Sequence, residues 1–371
     1  MNWLLIFIPI AFGLEHEHAA PTITFAASAL AILPLAALMG KATEALAHYL
    51  GPHFGGMLCA SMGNAPELII GIAALNHGLI DMLKSSIAGA IIGNLLFGLG
   101  LSMFAGGIKR DTQSFDGRVI SIHSALLVLG TLSLIVPSVF HVAADTDREL
   151  SLHISVTLLI IYAAGILHIL LNERAAVTDS RQTDDDDAAL GQRRAADIEG
   201  VPGLSIDRVA DQEEKPAWRR NTALAVLACV ASTLAMLSDI LTGSVQPAAD
   251  AMHLNPVFAG VFLLALIGNI PEYINAYTFA RKDQMTLALS INLGATTQLV
   301  LLVAPVLVIC GAAMELDMNL LFNNFELVAI LLSVTVTRTL IANNRTTWFE
   351  GLLLMGLYTV LGFGFYYLPK S

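Results

Sequence analysis

The chain has 371 residues, 56% hydrophobic and 13% charged, with a mean hydropathy of +0.70; ordinary soluble domains carry about 25% charged residues, so a soluble enzyme is excluded. Basic and acidic residues number 19 and 30, a net charge of −11, which leaves no basic surface for nucleic acid as a partner. Cys59, Cys229 and Cys310 all lie in apolar runs and define neither a disulfide framework nor a spaced zinc site.

The first apolar segment, Asn2 to Leu14, is short and lacks the Lys or Arg that precedes a secretory signal. It reads as a weak first transmembrane helix, with residues 1–21 holding this helix and an outer loop. Five runs of the length that crosses a bilayer core follow near 22–40, 56–78, 84–106, 118–140 and 151–171. The pattern then stops. Residues 172–220 contain Asp184 to Asp187 in a row and too little apolar content to pack a core, so they read as an acidic linker. Five more runs follow near 222–242, 256–280, 285–311, 321–342 and 347–368. The expected fold is an all-α polytopic membrane protein of about eleven helices: an N-terminal helix, a five-helix repeat over 22–171, the linker, and a second five-helix repeat over 221–371.

Lys41, Lys109, Arg110, Arg281, Lys282 and Arg345 fall on alternate loops that share a side with the linker. Basic residues concentrate in short cytoplasmic loops, so the linker and the N-terminus are expected on the cytoplasmic side of the lipid bilayer. Short loops and the lack of a targeting segment fit a bacterial inner (plasma) membrane. An odd number of spans per half makes equivalent helices cross in opposite directions, which is an inverted repeat. Secondary transporters built this way place their site near the midplane where the repeats meet.

Ionisable residues in mid-span are costly and are functional by default. Two stand out: Glu67 in Gly63-Asn64-Ala65-Pro66-Glu67 and Glu272 in Gly268-Asn269-Ile270-Pro271-Glu272, once per half. Gly and Pro interrupt a helix and free carbonyls at bilayer depth, and no Lys or Arg lies mid-span to neutralise either acid. Two carboxylates and neutral oxygens suit a dehydrated divalent ion, calcium before magnesium, because calcium takes six to eight oxygens in a flexible shell. Candidate ligands are Glu67 and Glu272, the side chains of Asn64 and Asn269, and carbonyls near Gly63 and Gly268. The following spans add Gly89, Gly93, Asn94, Asn292, Gly294, Thr296, Thr297 and Gln298; for Asn94 and Gln298, site and interhelical packing are equally consistent. Proton and metal compete for such carboxylates, and competition at one alternately exposed site is exchange. A passive channel, and a hydrolase with a catalytic pair or metal trio at membrane depth, are the other classes; no motif for the latter occurs.

These residues resemble the cation/proton exchangers, or calcium/proton antiporters, of the calcium/cation antiporter superfamily. The resemblance runs through Gly63 to Ile70, Asn94-Leu95-Leu96, Gly106-Gly107-Ile108, Gly268-Asn269 with Glu272, Ala304-Pro305, Phe325-Glu326 and Trp348 to Gly351. It implies eleven helices in two inverted repeats of five behind a first helix. It makes Glu67 and Glu272 the transport carboxylates, and calcium and protons the substrates, with no cofactor. This chain departs from many relatives: Tyr273 stands where they have His, Ala90, Gly93 and Ala295 where Ser is common, and Gln246 where an acid is common. A shell with fewer hydroxyls also suits sodium or potassium against protons, or sodium against calcium, as alternatives. The sequence leaves open a monomer or a homo-oligomer.

Overall fold

The computed structural model describes residues 2–140, 146–167 and 218–369. The linker expectation falls mostly on 168–217, outside the described residues. Eleven helices follow in order: α1 (Trp3–His16), α2 (Pro21–Met62), α3 (Ala65–Asn76), α4 (Ile80–Gly107), α5 (Gly117–Val139), α6 (Thr146–Leu167), α7 (Arg220–Ala251), α8 (Pro256–Arg281), α9 (Met285–Ala313), α10 (Asn324–Ile341) and α11 (Trp348–Tyr366). Among the described residues nine of these are long and apolar enough to cross a membrane, and α1 and α3 are shorter apolar helices. This is the expected eleven-helix, all-α fold of two five-helix repeats behind a first helix.

α2 is longer than the run predicted near 22–40 because helical backbone continues past Leu50 into the next predicted run. It is not straight. Gly55 packs against the backbone of Ala47, eight residues earlier, although a straight helix would hold them about 12 Å apart. The chain therefore reverses after Leu50, and its returning part leads through a turn at Gly63 and Asn64 into α3.

Two large apolar clusters and a small one at Ala45, Leu46 and Ala223 build the interior. One large cluster joins α1, α2 and α7 with the start of α8; the other joins the end of α3 with α4, α5, α8, α9 and α10. The repeat-equivalent helices α2 and α7 pack along much of their length. π-helical turns interrupt three helices, at Gly93–Gly98 in α4, Ala259–Leu264 in α8 and Leu299–Val303 in α9; such turns occur frequently at functional sites.

The loops sort onto two faces. On one, β1 (Gln113–Ser114) pairs antiparallel with β2 (Arg345–Thr346), Arg110 meets Asp283 at 3.3 Å, and Gln113 Nε2 donates to Asp283 Oδ1 at 2.8 Å. These contacts tie three inter-helix loops together. The Tyr49 hydroxyl donates to the Trp218 carbonyl at 2.9 Å, which brings the end of the α2 span beside the approach to α7, the helix that follows the linker. On the opposite face Lys84 Nζ donates to Asn319 Oδ1 at 3.3 Å.

Candidate cation site

The two motifs fold differently. In the first half the helix breaks at Gly63 and Asn64, Pro66 sits in the first turn of α3, and Glu67 follows it. There Pro costs nothing, because first-turn amides have no intrahelical acceptor. In the second half α8 runs unbroken through Gly268, Asn269, Pro271 and Glu272. The expected interruption in both halves is therefore corrected: Pro271 only removes one amide, leaving the Ile267 carbonyl without its usual donor, while packing on both sides holds the helix together.

The motifs nevertheless meet. A Cβ built on Gly268 would lie 3.2 Å from both Cγ and Oε1 of Glu67, so the absence of a side chain there lets the first carboxylate lie against α8. Glu272 is one turn further along the same face, close enough for the two acids to interact electrostatically. Both carboxylate oxygens of Glu67 and Oε2 of Glu272 are buried, and among the described residues no hydrogen-bond partner meets them. Such a state is costly unless a proton or cation satisfies the oxygens.

Glu67, Gly268 and Asn269 share a small cavity of about 20 Å³, walled by Leu83, Leu264 and Leu307, room for about one water-sized occupant. Glu272 instead lines a much larger cleft of about 550 Å³ that also includes Lys41, Glu44, Gly63 and Asn275. Glu44 lies near the end of the α2 span, and Asn275 is one turn from Glu272 toward the β1–β2 face, so the cleft opens to that face. A separate cavity of about 510 Å³ on the opposite face, beside Gln246 and Glu326, shares no lining residue with the Glu67 cavity.

The polar residues divide between the site and packing. Asn64 Nδ2 donates to Gln298 Oε1 at 3.0 Å and to the Ala295 carbonyl at 3.2 Å, joining the first motif to α9. Asn269 Nδ2 donates to the Ala265 carbonyl at 2.7 Å, and its Oδ1 is buried without a partner among the described residues. Asn94 is fully buried in the α4 π turn; neither amide atom has a partner among the described residues, and it lines no cavity with Glu67. Thr296 and Thr297 donate to the Asn292 and Leu293 carbonyls of their own helix, and Gly89 packs on the Val261 backbone; these serve helix contact. Glu326 and Glu350 each complete an N-terminal capping box, and Asp239 pairs with His77 at 2.8 Å.

Sequence reasoning noted Tyr273 and Gly93 separately and missed that they are one feature. The buried Tyr273 hydroxyl points at the face of Gly93, where any side chain would collide with it. The signal was a large polar residue in one repeat and a missing side chain in the other. Among the described residues no group of three or more His, Cys, Asp or Glu is gathered to hold a metal, so a cation at this site would take the rest of its shell from neutral oxygens or water.

An inverted-repeat membrane fold with paired carboxylates at the repeat interface defines an ion-transporter class. The family model for sodium/calcium exchanger protein matches residues 20–171 and 222–367, and the chain belongs to that family. It is 35% identical to a Ca²⁺/H⁺ antiporter of Aphanothece halophytica, covering 99% of this chain and 96% of that one. It is 34% identical to a Ca²⁺/H⁺ antiporter of Synechocystis sp., covering 99% and 96%. The solved structure of native YfkE superposes with a TM-score of 0.78 at 29% identity, over 98% of both chains.

Proposed function

We propose that this protein is a secondary active antiporter that exchanges calcium for protons by alternating access, with Glu67 and Glu272 as ligands shared by both substrates. The observation that carries the reading is the meeting of two repeat-related carboxylates, through Gly268, with buried and unsatisfied oxygens. A proton on either acid removes a ligand charge, so cation and proton occupy the site alternately. Asn64, Asn269 and the carbonyls near Gly63 and Gly268 are the neutral donors assigned to the pair; Gln298 acts through Asn64.

The wide cleft at Glu272 and the much smaller cavity at Glu67 support a state in which the pair is approached more readily from the β1–β2 face. Opening the other side means moving the α1, α2 and α7 cluster against the rest, a rocking of bundles about a fixed site. The basic loops support assigning the β1–β2 face to the cytoplasm of a bacterial cell, and an inward proton gradient would then drive calcium out. Domain bounds of 22–171 and 221–371 about the linker follow from the repeat.

The test is transport. In proteoliposomes with an imposed pH gradient, calcium, manganese, sodium and potassium fluxes are measured separately, beside Glu67→Gln and Glu272→Gln. Gradient-dependent calcium flux, lost by at least about 100-fold in both variants, is the expected result. Movement of a monovalent ion alone would replace calcium, and flux surviving in both variants would remove the site.

A further inference from the structure

The cleft that leads to Glu272 contains oxygen donors that the exchange reaction at the paired glutamates does not use. Glu44 is exposed in it, with no hydrogen bond or ion pair to any described residue. Beside it Thr43 is 3% exposed, and its hydroxyl is buried without a partner among the described residues. A buried hydroxyl that folding leaves unsatisfied carries a cost. Across the cleft Asn275, one turn from Glu272 on the same face of α8, presents a side-chain amide. Lys41 lies one turn before Glu44 on α2 and lines the same space, so the charge met by an incoming ion is a balance of one acid and one base.

The geometry points to a second, preceding cation position in this cleft, where Glu44, Thr43 and Asn275 hold a hydrated divalent cation before it reaches Glu272. The cleft of about 550 Å³ is far larger than one ion and its first water shell, each water taking about 30 Å³. Glu44 attracts the ion from solution, where a single carboxylate in a cleft raises local cation concentration. Asn275 offers a neutral oxygen to its waters, beside the buried, unpartnered Thr43 hydroxyl. Water is given up only at Glu67 and Glu272, where charge density is higher. Lys41 limits occupancy and lets the ion move on. The inference rests on the exchange reading, and it assigns Glu44 a specificity role on one face only.

The test measures the calcium KM separately from the linker face and from the opposite face in proteoliposomes, at fixed pH. Glu44→Gln and Thr43→Val are expected to raise the linker-face KM about three- to tenfold, with kcat within about twofold and the opposite-face KM unchanged; Thr43→Ser restores the wild-type value. Lys41→Gln is expected to lower the linker-face KM. An unchanged linker-face KM in Glu44→Gln, or an equal rise from both faces, overturns the position, because packing damage does not distinguish faces. A wild-type protein that moves no calcium would instead remove the exchange reading beneath it.

Discussion

Glu67 lies against Gly268, and that contact sets how close the two carboxylates come. A methyl group in Gly268→Ala pushes on Oε1 and Cγ of Glu67, and the expected outcome is a calcium KM raised about tenfold, in line with the cost of about 1–3 kcal/mol for modest overpacking; flux measured against calcium concentration checks it. The hydrogen bond from Asn64 to Gln298 makes a different prediction. It joins the first motif to the second repeat, so Asn64→Leu and Gln298→Leu are coupled by about 1 kcal/mol in thermal unfolding of the singles and the double; strict additivity would show that the bond contributes nothing. At this scale the two glutamates could be singled out in the sequence, because an acid in mid-span has few explanations, and the structure brings their motifs together. The Asn64 partner could not be, since a contact spanning 234 residues depends on how helices dock. The apposition of Tyr273 and Gly93 was hidden for the same reason.

The helices show what periodicity and composition can and cannot give. Apolar runs located every span, since bilayer thickness fixes their length. The three π turns left no mark that a hydropathy pattern could carry, whereas the reversal after Leu50 falls in the gap between the runs read near 22–40 and 56–78. The motif Gly-Asn-X-Pro-Glu reads identically in both halves, yet Pro66 falls in a first turn and Pro271 within α8. Pro271→Ala restores a backbone bond and is expected to stabilise the protein by up to about 3 kcal/mol while slowing exchange, because the Ile267 carbonyl freed near the site regains its donor. Pro66→Ala changes stability by less than about 1 kcal/mol, since that amide has no intrahelical acceptor. Thermal unfolding in one detergent, paired with flux, separates the two; equal stabilisation by both substitutions would contradict the difference in fold.

Over the whole molecule, the fold was legible because five plus five spans about a polar break leave few arrangements, and an odd count per half inverts the second. The state of the transport cycle was not, since the sequence is common to every state; what bears on it is the contrast between the cleft of about 550 Å³ at Glu272 and the cavity of about 20 Å³ at Glu67. The proposed sharing of the carboxylates predicts a signed pH dependence. Protons fill the site as pH falls, so the calcium KM on each face rises as that face is acidified and falls as it is made alkaline. Kinetics at several pH values on one face test this, and a KM independent of pH would contradict a shared site. Calcium binding to the purified protein in weakly buffered detergent solution tests the central claim most directly, with released protons followed by a pH dye. Release on calcium addition is predicted for the wild type, with none in the Glu67→Gln, Glu272→Gln double variant. Calcium binding without proton release, or equal release from the double variant, would contradict it.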